Sequence, residues 1–256
     1  MSTGLSEAPG RSGLLAGRRI LVTGGSGGIG RGICAVAARE GARVAFTWHQ
    51  DAPGAARTAE LCGPETLAIQ ADLRDPAAAG PVVAQVEAAL GGLDALVNNA
   101  AYSEAVPFIL LDDDELDELM QLNLFAPFRL TRAALRPMIR QKYGRIVNVS
   151  SFVGARTLPG PVHYAASKGG LEGFTRSLAH EVGPYGVLVN AVAAGIFEGG
   201  LKSTIPAHHQ DRYLQACALG RFGRAEECGE LVAWLASDRN GYVNGAIIVQ
   251  DGGTTG

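Results

Sequence analysis

The stretch VTGGSGGIGRGI, residues 22–33, admits two incompatible readings. Gly24-Gly25-Ser26-Gly27-Gly28 fits the G-x-S-x-G turn of a hydrolase, with Ser26 as nucleophile. The same letters, from Thr23 to Gly30, fit a Thr-Gly-x-x-x-Gly-x-Gly backbone cradle for a dinucleotide pyrophosphate. A hydrolase would also need a histidine with an acidic partner late in the chain. None of the five histidines (His49, His163, His180, His208, His209) has an obvious one. The cradle needs a strand before the turn and a helix after it, and the flanking sequence supplies both. RRILVTG (18–24) reads as a buried strand, and GIGRGICAVAAREG (28–41) as a helix stopped by Gly41.

Outward from this turn, short β-branched runs alternate with Ala-rich stretches. Further strands are expected in 42–48, 65–73, 93–101, 144–151, 186–195 and 245–253. Helices are expected in 51–62, 76–90, 164–182 and 225–237, with one long helix from about Asp113 to Arg140. Near-continuous apolar strands between helices indicate a parallel sheet covered on both faces. The fold class is therefore α/β: a single-domain Rossmann fold, a doubly wound parallel seven-stranded sheet with helices on both faces. Residues 1–16 read as a flexible N-terminal tail and 17–256 as one domain. The irregular stretch within 196–222 reads as a substrate loop or lid.

Bulk composition narrows the function. The chain has 256 residues, 47% of them hydrophobic and 18% charged, enough apolar material for a large core. A formal net charge of −3 gives no support to nucleic-acid or anionic-membrane binding. No apolar run approaches the roughly 18 residues of a membrane span. The first residues lack a signal-peptide core, so a cytoplasmic chain is expected. Cys34, Cys62, Cys217 and Cys228 form no C-x-x-C pair and read as free thiols, and no metal site is expected.

A second constellation lies in SSFVGARTLPGPVHYAASK, residues 150–168. Tyr164 and Lys168 are four residues apart and share one helical face. An ammonium there would lower the phenol's pKa from its usual ~10, which suits a general acid or base. Ser151 precedes Tyr164 by 13 residues, and a returning loop would aim both hydroxyls at one carbonyl. An exposed tyrosine and a solvated lysine are the plain alternative for Y-x-x-x-K alone.

These residues fall into an ordered set: TGGSGGIG (23–30), ADL (71–73), NNAA (98–101), LNL around Asn123, VSS ending at Ser151, YAASK (164–168), VNAVAAG (189–195) and VQDGG (249–253). In this order and spacing the chain resembles the short-chain dehydrogenase/reductases from about residue 16 to 254. Within them it is most similar to 3-oxoacyl-[acyl-carrier-protein] reductases and polyketide ketoreductases. The resemblance implies that Tyr164 protonates a carbonyl, Lys168 assists it and holds the nicotinamide ribose, and Ser151 polarises the carbonyl. It implies that Asn123 holds a relay water, although a helix-kink residue bonding backbone is the structural alternative. It also implies a dinucleotide held by Gly24, Ser26, Gly28, Ile29 and Gly30 at the pyrophosphate and by Asp72 and Leu73 at adenine. Asn98, Asn99 and Ala100 would serve the central strand and the adenosine ribose, and Gly195 and Ile196 the nicotinamide. Three positions depart from the family pattern: Ala101 for glycine, Ala194 for proline and Gly199 for threonine. The last two would loosen nicotinamide positioning.

NADPH is favoured over NADH. Trp48 ends the second strand where NAD enzymes carry an acid, and His49 beside it suits a 2′-phosphate; Gly27, where many NADP enzymes have a basic residue, argues the other way. The expected activity is ketone reduction, on a small-molecule ketone or a carrier-protein-bound acyl substrate such as a 3-oxoacyl thioester or polyketide intermediate. The alternatives are an NAD-dependent secondary-alcohol dehydrogenase and a non-catalytic nucleotide-binding protein. Arg132, Arg136, Arg140, Lys142 and Arg145 read as a solvated helix end or as a docking patch for an acidic carrier protein, weakened by His180 where relatives are basic. Tyr102, Ser103, Phe152, Leu158, His163, Phe197 and residues 198–216 are candidates to shape the substrate pocket. His208 and His209 are expected to point apart. A homotetramer or homodimer through 113–140, 164–182 and the last strand is the expected assembly.

Overall fold

In the computed structural model, residues 13–154 and 160–255 are described. Seven parallel strands form one sheet in the order β3-β2-β1-β4-β5-β6-β7. They are β1 (Arg19–Val22), β2 (Arg43–Trp48), β3 (Leu67–Gln70), β4 (Ala95–Asn98), β5 (Gly144–Ser151), β6 (Val187–Ala194) and β7 (Ile247–Gln250). The helices are α1 (Gly28–Arg39), α2 (Ala52–Cys62), α3 (Ala79–Leu90), α4 (Asp113–Met120), α5 (Ala126–Arg140), α6 (Val162–Val182), α7 (Ala207–Ala216) and α8 (Ala225–Ala236). Strand order reverses between β1 and β4, which opens a crevice at the strands' carboxyl ends.

The apolar strands follow from a sheet packed on both faces. Alternate residues feed two cores: Ile20, Val22, Val44, Phe46, Val147 and Val149 join one, Leu21, Ala45, Leu96 and Ile146 the other. The first core lies under α1 and α8, the second under α3, α5 and α6. Each buried Leu, Ile or Phe stabilises the fold by about 1.5–3 kcal/mol. The central strands also carry a polar ladder. Asn98 Nδ2 donates to Asn148 Oδ1 at 2.8 Å, and Asn148 Nδ2 to Thr175 Oγ1 at 2.9 Å, tying β4 and β5 to α6. Sequestered bonds of this kind fix the register of the strands that end at the crevice.

Three sequence expectations change. The tail does not extend to residue 16. Leu15 is fully buried in the core, and its N–H donates to the Glu40 carbonyl at 3.0 Å. Two leucines, Leu14 and Leu15, make that segment part of the fold; residues 1–12 lie outside the described residues. The helix expected over 113–140 is divided by a π-helical turn, Gln121–Phe125. The cause is Asn123, whose amide bonds the Tyr102 backbone on a neighbouring segment: Nδ2 donates to the Tyr102 carbonyl and Oδ1 accepts from its N–H, each at 2.9 Å. Finally, the irregular stretch after β6 contains α7, a helix of 10 residues.

Candidate active site

The carboxyl ends of β1, β2, β4, β5 and β6 surround a cleft of about 1070 Å³. Ser151, the last residue of β5, lines it, as do Tyr164 and Lys168 from the start of α6. The Ser151 hydroxyl stands close enough to the Tyr164 phenol to act on it. The Lys168 ammonium lies 5.7 Å from the Tyr164 ring centroid and donates to the Val149 carbonyl at 2.8 Å. Three of the four residues expected at the reacting centre therefore meet in one place. Asn123 does not line the cleft. It is fully buried behind it and holds Tyr102, which does. The Asn123 amide also donates to Ser167 Oγ at 3.4 Å, and Ser167 neighbours Lys168 on α6.

The electrostatics correct one expectation. Burial pushes the Tyr164 phenol up to about 12, and the neighbouring Ser151 hydroxyl only opposes this. Burial also lowers Lys168 to about 8. With its ammonium turned toward the Val149 carbonyl, Lys168 does not bring the phenol below its usual value here, because desolvation outweighs the pull of an amine at that distance. The phenol is therefore firmly protonated at neutral pH and placed to donate.

The glycine turn lines the other half of the cleft. Gly24, Ser26, Gly28, Ile29 and Gly30 all face it. Gly27 caps α1 with no side-chain hydrogen bond, so the helix's first N–H groups are left for a ligand. A Cβ on Gly30 would run into the Gly24 carbonyl oxygen, and Gly28 has φ +52. The turn thus presents bare backbone where a pyrophosphate would lie. Thr23 and Asn99 fix it in place. Thr23 Oγ1 accepts from the Asn99 and Ala100 N–H groups, both at 2.9 Å, and Asn99 Nδ2 donates to the Thr23 carbonyl at 2.9 Å. Ser26 has no hydrogen bond to a histidine among the described residues, which leaves the hydrolase reading without its base.

At the far end stand Trp48, His49, Asp72 and Leu73. Trp48 packs against the core as well as facing the cleft. Asp51, the nearest carboxylate after Trp48, is spent as the cap of α2 and accepts from the Gly54 N–H at 2.9 Å. Arg74, which sequence reasoning missed, lines this end too; its only sequence signal was its place directly after ADL. It grips Asp72 through Nη2 at 2.7 Å and holds that carboxyl down at about 2, with His49 Nε2 a further 3.6 Å from it. Gly195 and Ile196 line the cleft below β6, Asn99 and Ala100 below β4. Asn98 does not line it and serves the strand alone. Together the bare turn, the exposed helix N-terminus and this polar far end fit a dinucleotide.

On the substrate side, Tyr102, Ser103, Phe152 and Phe197 line the cleft. Leu158 lies outside the described residues. His163 is buried away from the cleft, with an unpartnered Nδ1. Gly199, Gly200, Lys202, His209, Arg212 and Tyr213, from the stretch after β6, also line the cleft. Gly200 approaches the turn so closely that a Cβ on Gly28 would stand 2.9 Å from its Cα. His208 and His209 do not point apart: their ring centroids are 4.1 Å apart at a tilt of 41°, because the first turn of α7 leaves both rings exposed and free to turn toward each other. Among the described residues no group of three or more His, Cys, Asp or Glu is arranged to hold a metal ion. All four cysteines are free. Arg145 leaves the expected basic patch. It is buried, packs over the Tyr143 ring at 4.4 Å and donates to the Gly144 and Asn240 carbonyls.

A family profile described as enoyl-(acyl carrier protein) reductase matches residues 24–255. The 3-oxoacyl-[acyl-carrier-protein] reductase of Pseudomonas aeruginosa is 38% identical over 242 residues, covering 93% of this chain and 98% of the relative. A short-chain dehydrogenase/reductase from Serratia marcescens superposes with a TM-score of 0.89 at 36% identity, over 95% of this chain and 100% of that one. A short-chain dehydrogenase from Burkholderia cenocepacia, solved in complex with NADP, superposes with a TM-score of 0.87 at 36% identity, over 94% and 99% of the two chains.

Proposed function

The chain belongs to the short-chain dehydrogenase/reductase family and is an NAD(P)-dependent oxidoreductase, and from that premise we propose that it is an NADPH-dependent ketoreductase. Its substrate in this reading is a 3-oxoacyl thioester or a related polyketide ketone. The observation that carries the proposal is the meeting of Ser151, Tyr164 and Lys168 in the same cleft as the bare glycine turn.

When bound, the dinucleotide supplies the hydride. The chain's residues do the rest. Ser151 and Tyr164 converge on one point, where they bind and polarise a carbonyl oxygen. Tyr164, held protonated by burial, gives its proton to that oxygen. Lys168 places a cation beside the phenolate that results, and Asn123 steadies both the Tyr102 wall and the Ser167 turn behind it. Gly24, Ser26, Gly28, Ile29 and Gly30 seat the pyrophosphate, and Asn99, Ala100, Asp72 and Leu73 the adenosine. Gly195 and Ile196 carry the nicotinamide face. Preference for the 2′-phosphate is supported by Trp48 in place of an acid, by Asp51 being occupied as a cap, and by His49 and Arg74 at that end.

The test is oxidation of NADPH and of NADH with an acetoacetyl thioester. The wild type is expected to turn over, faster with NADPH. Tyr164→Phe, which cannot donate a proton, is expected to bind cofactor and lose at least about a hundredfold in kcat. Undiminished turnover by Tyr164→Phe would overturn the acid role.

Two partner readings belong with this proposal. Arg132, Arg136 and Arg140 line a groove of about 470 Å³ between α5 and α3, with Lys142 exposed just beyond, and this basic surface suits an acidic acyl carrier. Phe125 at the end of the π-helical turn and Phe128 on α5 are exposed, with Phe128 stacked on Phe174 of α6 at 4.0 Å, and suit a homodimer or homotetramer packed through these helices. No helix among the described residues is long and apolar enough to cross a membrane.

A further inference from the structure

The substrate half of the cleft carries positive charge that its own walls do not neutralise. His209, Arg212 and Tyr213 stand at i, i+3 and i+4 on α7, share one helical face and line the cleft. Tyr213 locks that face in place. It is buried, its hydroxyl donates to the Asp251 carbonyl at 3.0 Å, and its ring lies 5.8 Å from Phe152, the residue after Ser151. Arg212 is thereby held at the mouth of the half of the cleft that contains the hydroxyl pair. It is exposed and has no ion pair among the described residues.

Lys168 is turned to the Val149 carbonyl, and most of the cleft's other charges are engaged. Asp51 caps α2, while Asp72 and Glu118 both pair with Arg74 at the dinucleotide's far end. Lys202, the other cation that the stretch after β6 brings to the cleft, is taken by Glu198 at 2.6 Å. Among the described residues Glu104 is the one carboxylate left on the substrate side, and it acts on Tyr102 rather than on Arg212. A guanidinium carried to a cleft mouth by an anchored helix, with an imidazole one turn away, offers a fork matched to an oxyanion.

Resting on the ketoreductase reading, we propose that Arg212, with His209 beside it, recognises an anionic group on the substrate, carried beyond the reacting carbonyl. Two sources present that chemistry: the phosphate of a phosphopantetheinyl thioester, or the carboxylate of a free oxo acid. The residues would bind the anion and take no part in proton transfer, so their effect falls on KM.

Four probes separate the cases with wild type and Arg212→Gln at saturating NADPH. Acetoacetyl-coenzyme A carries the phosphates, and the acetoacetyl N-acetylcysteamine thioester lacks them. Acetoacetate carries a carboxylate, and its ethyl ester does not. Arg212→Gln is expected to raise KM about tenfold for one anionic probe, with kcat unchanged and the neutral partner of that probe altered by less than about twofold. A selective loss with the coenzyme A thioester assigns the phosphate, and one with acetoacetate assigns the carboxylate. Arg212→Lys, which keeps the charge but not the fork, is expected to fall between the two, and an unchanged melting temperature shows the variants are folded. Equal effects on charged and neutral probes, or none on either, would overturn the proposal while leaving ketone reduction standing. Should the wild type reduce none of the four, the ketoreductase reading fails and this one with it.

Discussion

At the scale of single residues, the site is governed by how burial treats two neighbouring groups. Tyr164 is pushed up to about 12 and Lys168 down to about 8, in both cases by removal from water. These shifts set a pH dependence with a definite sign. Below about pH 8 Lys168 is an ammonium; above it, the amine is neutral. The proton that leaves Tyr164 during reduction leaves a phenolate, and only the charged form of Lys168 lowers the energy of that state. Reduction is therefore expected to hold steady at neutral pH and to fall as pH rises through about 8. A profile of kcat between about pH 6 and about pH 10, at saturating ketone and NADPH, checks this. A rate that climbs through the same interval would show that the lysine works without its charge. None of this was visible in the letters Y-x-x-x-K. They gave the shared helical face but not the depth at which it is buried, and so pointed to a lowered phenol.

At the scale of elements, what could be read in the sequence was what local pattern alone determines. GRIVNVSS became β5 with the same bounds, and the glycine turn sits between β1 and α1, because a strand buried on both faces and a bare turn each leave their mark in adjacent residues. What escaped depends on distant partners. The π-helical turn at Gln121–Phe125 exists because Asn123 reaches Tyr102, and Arg74 and Arg212 reach the cleft only once α7 and the end of β3 have been placed. The beginning of α8 is a similar case. Glu227 reaches back to accept from the Arg224 N–H at 2.8 Å and from Arg221 Nη2 at 2.8 Å, fastening the stretch after α7 to the helix that covers one face of the sheet. Glu227→Ala removes that cap and is expected to cost about 1 kcal/mol of stability. Denaturant unfolding should show a lower midpoint with an unchanged slope. The Gln250 side chain donates to the Glu227 carbonyl, a backbone contact that the substitution spares, so β7 is expected to stay docked.

At the scale of the whole molecule, the open question is why α5 and the turn before it leave aromatic rings in water. Phe128 is 44% exposed although it stacks on Phe174, and Phe125 one turn before it is 41% exposed. Elsewhere the same two helices bury their faces fully: Leu130, Ala134 and Met138 of α5 and Leu171 of α6 are in the core. Helices that are apolar on a second side are built to be covered, since a monomer loses about 25 cal/mol for each Å² of apolar surface left in water. Ile109, 91% exposed in the turn just before α4, points to the same need. The occupant favoured is a second copy of the chain, because a two-fold axis lets one stripe cover its own equivalent with no further partner. Light scattering on the purified protein is then expected to give twice or four times the mass of one chain. Phe128→Glu would place two like charges at the centre of such an interface, and is expected to shift the mass to that of a single chain. The Ser151–Tyr164 pair is built within one chain, so the variant should still bind NADPH in a thermal-shift assay. A wild type of single-chain mass, or a Phe128→Glu protein of undiminished mass, would show that these rings serve something other than self-association.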